Sequence, residues 1–376
     1  MHNIPKTVRS GTQVSDPDAL LSEVLRLAQG ILRTGPDPAV RCRLLCEVLR
    51  LADDDPALEE SRSDLQNSRH IQLLAQAQQP DGGWGRFHSR DSQIRTRVPT
   101  TEWAVERALA LGMRPAAPLL KRAARHIYEM LTWKEEFPDP PEKNDRWPLG
   151  MRLFMAATLA SLQPANPILV KERSLWRNIA SLTFYSGRYS ARAEIRAHQE
   201  LTGASVAGSY LVLNGRYQVI LLGCVRGFLS PDLEQDYVSW LWDLPQGIGY
   251  FGVPLPPPAP SRAGDFERWL ASHMLLSRYF PDWAEHAGPL IGWLWDQRIT
   301  NGGWDFGPRA AGMPFLPLSD SWRRPDNRAT DWTVRILILT RRYLDRYFRQ
   351  AQDESQSWNP SKPDATGNSS GLFLMD

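Results

Sequence analysis

Two stretches of this chain are written to one pattern: Leu74, Gln78, Gly82 and Trp84 early, and Trp293, Gln297, Gly302 and Trp304 late. Each reads as a helix end, a glutamine, then a tight Gly-Gly turn closed by tryptophan. The likeness continues past the turn, because Thr101-Glu102-Trp103-Ala104-Val105 follows the first copy and Thr330-Asp331-Trp332-Thr333-Val334 the second. An internal repeat restricts the architecture more than any single residue does, since each unit must bury its apolar face on a neighbour. Trp240-Leu241-Trp242-Asp243 repeats Trp293-Leu294-Trp295-Asp296 letter for letter, with Gly249-Tyr250-Phe251-Gly252 in place of the later turn. The unit is therefore a helical hairpin of about fifty residues, and about six fit in the chain.

Apolar residues spaced by three and four, Leu20, Leu21, Val24, Leu27, Ala28, Ile31 and Leu32, predict a first helix that stops at Gly35-Pro36. The same periodicity predicts helices over 39–52, 115–133, 148–162, 172–184, 217–228, 233–242, 266–280 and 332–348, and no stretch alternates as a strand does. About a dozen helices with short connections make an all-α chain of antiparallel neighbours. We expect one domain over 1–350, with repeats at 74–84 and 293–304, and a disordered tail over 351–376, which is rich in Ser, Asp, Asn and Pro. Two proline-rich loops, 136–147 and 253–261, either cover a cavity mouth or serve as surface connections.

The balance of 44 Lys and Arg against 42 Asp and Glu, a net charge of +2, gives no electrostatic case for a nucleic-acid partner. No run of about 18 uncharged apolar residues suggests a transmembrane segment. Lys6, Arg9, Asp16 and Asp18 interrupt any secretory core in the first thirty residues, so a cytoplasmic location is expected, with peripheral membrane contact left open. Nothing in the sequence specifies an oligomeric state. Cys42, Cys46 and Cys224 form no disulfide framework; the first two share one helical face and read as core packing. The histidines show no metal-binding spacing, so no metal site is expected.

Aromatic-x3-Gln, a short gap and Gly-x-Trp resemble the repeat of the terpenoid cyclase and protein prenyltransferase superfamily, most fully at Trp293-x3-Gln297-x4-Gly302-x-Trp304 and well at Leu74-x3-Gln78-x3-Gly82-x-Trp84. The resemblance covers roughly residues 66–112 and 283–350. It implies an (α/α)6 toroid whose inner helices surround a central cavity, with the repeats themselves structural rather than catalytic. The chain departs from the family's chemistry. Asp-x-Asp-Asp, Asp-Asp-x-x-Asp and the zinc set of the protein prenyltransferases are all missing, and Asp53-Asp54-Asp55-Pro56 reads as a solvated turn.

Glu102 and Asp331 are the leading catalytic candidates, because the repeat aligns them: each follows a threonine, precedes a tryptophan and opens a helix. In a dry aromatic pocket such a carboxyl would have a raised pKa and could protonate an alkene; the alternative is a helix-start acid stabilised by free amides. Asp305 and Asp320 rank below them. Arg324 and Arg328, with Arg309 and Arg323, are candidates to grip a diphosphate in forked hydrogen bonds or to form ordinary ion pairs, and Trp103 and Trp332 are candidates for ligand contact. The resulting expectation is a toroid that binds a hydrophobic, isoprenoid-type molecule and cyclises or isomerises it by acid catalysis. No cofactor is expected, and magnesium only if the substrate is a diphosphate. A catalytically silent scaffold and a carbohydrate-active helical toroid are the competing readings.

Overall fold

The structure is a computed structural model that describes residues 16–90, 96–204, 210–300, 302–308 and 313–357. Arg309 and residues 358–376 of the expected tail lie outside the described residues. Among the described residues the fold is all-helical, with an isolated bridge between Gly215 and Gly249 as the sole extended pairing. In chain order the helices are α1 (Pro17–Arg33), α2 (Pro38–Arg43), α3 (Pro56–Asn67), α4 (Arg69–Ala77), α5 (Thr101–Ala110), α6 (Pro118–Leu131) and α7 (Trp147–Leu162). They continue with α8 (Val170–Thr183), α9 (Ala191–Thr202), α10 (Arg216–Gly223), α11 (Pro231–Asp243), α12 (Ala263–Tyr279), α13 (Trp283–Asp296) and α14 (Pro325–Ser357). Leu44–Val48 extends α2 as a wider π-type turn, and α14 runs through the first residues of the expected tail. No helix among the described residues is long and apolar enough to cross a membrane.

Local signals set the helix starts. Asp16 accepts the Ala19 N–H at 2.9 Å ahead of Pro17, and Thr100 accepts that of Trp103 at 3.2 Å ahead of α5. The two repeat turns then behave alike. The Trp84 indole donates to the carbonyl of Leu74 at 2.8 Å and the Trp304 indole to that of Leu294 at 2.6 Å, each ten residues back. Gln79 N–H bonds to Gly83 O and Ile299 N–H to Gly303 O, both at 2.9 Å. Gly82 is irreplaceable at its turn: φ is +100°, and a Cβ there would lie 2.6 Å from the Arg122 carbonyl oxygen. Gln78 donates to the Gly82 and Leu119 carbonyls at 2.8 and 3.0 Å, so the amide satisfies backbone groups at two helix ends.

The backbone N–H of Trp84 bonds to Thr101 Oγ1 at 2.9 Å, and that of Trp304 to Thr333 Oγ1 at 3.0 Å. This sets the true register of the repeat. Thr101 corresponds to Thr333, not to Thr330, so Glu102 falls opposite Val334 and not opposite Asp331. Of the third copy, the helix forms as α11, but the turn after it lacks a tryptophan closure: Tyr250 is half exposed at φ +72° and Gly249 bonds to Asn214 O instead.

Six helical segments supply residues to one cavity: α2 with its π-type extension, α5, α7, α10, α12 and α14. The other helices contribute none. α12 and α14 run parallel, since Phe266 meets Trp332 at their starts and Arg342 reaches Met274 and Ser277 toward their ends. α14 also packs against α1 and α2, bringing the last described helix onto the first two.

Candidate functional site

The cavity has a volume of about 380 Å³, in the range of small-molecule sites. Leu109, Met113, Ile220, Phe251, Leu275 and Phe315 give it apolar walls. Set into those walls are six arginines, Arg43, Arg114, Arg216, Arg278, Arg335 and Arg342, against two carboxylates, Glu47 and Glu106. A chain of nearly balanced charge thus concentrates cations around one hollow.

The arginines differ in how they are neutralised. Glu47 is shared by Arg43 at 2.6 Å and Arg342 at 2.7 Å. Burial pushes the Glu47 carboxyl upward, but Arg43, Arg342 and Arg278 outweigh that and bring it down to about 2. Arg43 also donates to the Ala110 carbonyl at 2.5 Å, tying α2 to the end of α5. Arg216 is paired with Glu106, and Arg114 lies 3.3 Å from Glu59. Among the described residues Arg278 and Arg335 have no such partner, and of the two only Arg335 is buried. It is 2% exposed, forms no ion pair within 4 Å among the described residues, and its Nη1 is enclosed without a hydrogen-bond partner. The rings of Phe315 and Trp332, 5.7 and 5.5 Å away, and the fields of Glu267 and Asp331 compensate it in part, and burial lowers its pKa to about 10.

Glu102 sits behind this wall in a polar network. Its Oε2 lies 2.8 Å from His88 Nδ1, its Oε1 accepts the Tyr217 hydroxyl at 2.6 Å, and Arg216 Nη1 is 3.8 Å away. Burial pushes the Glu102 carboxyl up, but the bonds from His88 and Tyr217 and the charge of Arg216 together hold it below the ordinary range. The raised pKa expected of a protonating acid is therefore absent: Glu102 is a carboxylate. His88 stacks on Phe154 at 3.9 Å, with Tyr217 and Tyr250 edge-on. Its backbone is clamped from the proline-rich loop, where Asp139 accepts the N–H groups of Phe87, His88 and Ser89 at 2.5, 2.9 and 2.6 Å. The 136–147 loop thus positions His88, a role beyond surface connection.

Asp331 is fully buried, and burial does raise it, to about 6. Its oxygens are nevertheless engaged. They accept from Leu318 N at 2.7 Å, Ser319 N at 3.0 Å and Ser319 Oγ at 2.5 Å, which pins the loop before α14. Arg107 pins the same loop from α5 through the carbonyls of Pro314 and Pro317. The two leading acids thus belong to different networks.

The remaining candidates fall elsewhere. Arg328 forks onto Asp305 at 2.7 to 3.1 Å, an ion pair that also caps the turn through Gly307 N–H. Trp332 is fully buried and donates to Gly307 O at 2.9 Å, so it is core, and Trp103 is not part of the cavity wall. Asp320 and Arg324 lie on a separate surface pocket. Cys42 and Cys46 line the cavity as free thiols, and burial raises Cys42 to about 11. Among the described residues no group of three or more His, Cys, Asp or Glu could hold a metal ion. No protein-family model, curated protein or solved structure matches the chain.

Arg335, Arg216 and His88 escaped the repeat comparison, which weighed only what the two copies share. One signal was available: Arg335 interrupts the apolar run Val334 to Leu339, and a charge placed there enters the interior.

Proposed function

We propose that the chain is an (α/α)6 toroid of the terpenoid cyclase and protein prenyltransferase type, whose central cavity binds a small amphipathic anion. The isoprenoid-like body of that molecule packs against Leu109, Met113, Ile220 and Leu275, and its acidic group is met by arginines. Six segments around one hollow, with α14 packed on α1 and α2, support the ring. The observation that carries the ligand chemistry is Arg335, a buried cation on the cavity wall with an unpartnered Nη1. A desolvated charge costs several kcal/mol unless it is compensated, and a bound anion supplies the missing partner. Alkene protonation drops out of this reading. Glu102 is held as a carboxylate and Asp331 is occupied with its loop, so the proposal is anion binding without an assigned reaction.

Titration with farnesyl diphosphate, dodecyl phosphate and the neutral alcohol farnesol, followed by calorimetry, tests it. Both anions should bind saturably and at least ten-fold more tightly than farnesol, and Arg335→Met should remove most of that preference. Equal affinity for the alcohol, or dodecyl phosphate binding that survives Arg335→Met, would overturn the reading.

A further inference from the structure

A second concentration of arginine lies outside the cavity. Arg69 and His70 at the start of α4, Arg97 ahead of α5, and Asp320, Trp322, Arg323 and Arg324 ahead of α14 line one surface pocket of about 980 Å³. Three separate parts of the chain converge here. Among the described residues none of the four arginines forms a salt bridge within 4 Å, although exposed arginines elsewhere on the molecule do, as at Arg26–Glu23 and Arg50–Asp345. Among the described lining residues the carboxylate is Asp320, which lies 3.3 Å from His70 Nε2 and whose N–H donates to Asp37 Oδ2 at 3.0 Å. Burial, with the fields of Arg107 and Arg69, lowers His70 to about 4, so at neutral pH it contributes no charge. Against the four arginines the described pocket and its rim hold two carboxylates, Asp320 and Asp37, so an excess of positive charge remains.

The backbone adds to the same field. Helix α4 begins at the pocket without a side-chain cap, so the positive end of one helix borders it. A concave surface focuses such a field more strongly than a flat one. Guanidinium forks match phosphate oxygens two at a time, and four of them around a pocket this wide exceed what one phosphate can engage. Trp322, half-buried on the wall, offers an indole beside them.

We propose that this pocket is a binding site for a polyphosphate chain, held by Arg69, Arg97, Arg323 and Arg324. The proposal does not depend on what fills the central cavity. A polyphosphate reaches the site either as an inorganic chain or as the tail of a nucleotide, and in the second case Trp322 stacks on the base.

Calorimetric titration with tripolyphosphate and with ATP, without added metal, tests the site in the full chain. Both should bind saturably, and the double variant Arg323→Ala/Arg324→Ala should lose at least ten-fold in affinity for either. Those side chains are exposed, so the fold should tolerate their loss with little change in stability. Arg335→Met, confined to the cavity, should leave tripolyphosphate binding unchanged, which separates this site from the other. ATP tighter than tripolyphosphate, with the gain lost in Trp322→Ala, assigns a nucleotide; equal affinity assigns the inorganic chain. Lack of saturation by both probes at millimolar concentration, or binding indifferent to the double variant, overturns the proposal.

Discussion

The Tyr217 hydroxyl donates to Glu102 Oε1 at 2.6 Å, joining α10 to α5 across 115 residues of chain. Both side chains are buried, and His88 Nδ1 lies within hydrogen-bond distance of each, at 2.8 and 3.1 Å. Glu102→Gln should cost about 1–3 kcal/mol at pH 7, because it removes a charged acceptor from His88 and Tyr217. The pH dependence has a defined sign. The Glu102 carboxyl is lowered in the folded state, so its contribution is present above its ordinary value near 4.5 and fades as pH falls below it. Denaturant unfolding at pH 7 and pH 4 should therefore show a smaller gap between wild type and variant at the lower pH. An equal gap at both would count against an ionised Glu102.

The repeat register can be read from two threonines three residues apart. Thr333 Oγ1 serves the buried Trp304 N–H, whereas Thr330 Oγ1 bonds only to the Asp326 carbonyl on the exposed side of α14. Thr333→Val should destabilise by about 1–3 kcal/mol. Thr330→Val should stay within about 0.5 kcal/mol of wild type. Reversed magnitudes would restore the alignment of Glu102 with Asp331.

Asp331 should titrate in the opposite sense to Glu102. Its folded value is raised from 3.8 to about 6, so the folded state holds the proton more firmly than the unfolded chain does. Its favourable contribution is complete below its unfolded value and is lost as pH rises to about 6, a change of about 1–3 kcal/mol. Asp331→Asn keeps an acceptor for the loop but cannot ionise. The stability of wild type relative to this variant should fall between pH 4 and pH 6; a flat difference would show that Asp331 does not titrate there.

Asp139 is the anchor of the 136–147 loop. Asp139→Ala strands three N–H groups and should cost about 2–3 kcal/mol, with Asp139→Asn milder because it keeps one acceptor. Hydrogen exchange should speed up at residues 87–89 in the alanine variant before it does elsewhere. Unchanged protection there would mean that the loop does not hold His88.

The helices and the twin turns were legible because their signals are local: apolar spacing, a proline or cap at the start, glycine at positive φ. The 172–184 and 148–162 expectations differ from α8 and α7 by at most two residues at either end. The pairing of Glu102 with Asp331 failed for an equally local reason. Seventeen residues separate Trp84 from its threonine, but twenty-nine separate Trp304 from its own. With loops of such different length, similar tripeptides on the following helix carry no register of their own. The arginine-lined cavity was invisible for another reason. Net charge sums over the chain, whereas Arg43, Arg216, Arg335 and Arg342 come together only once three separate segments pack.

The tryptophan turns close over ten residues on backbone carbonyls, and neither Thr101 nor Thr333, which hold them to α5 and α14, lines the cavity. Both hairpins therefore carry a fastening that uses no cavity-lining side chain. Side chains facing the hollow can be exchanged without undoing those fastenings, so a chain can keep an old frame and change its cargo.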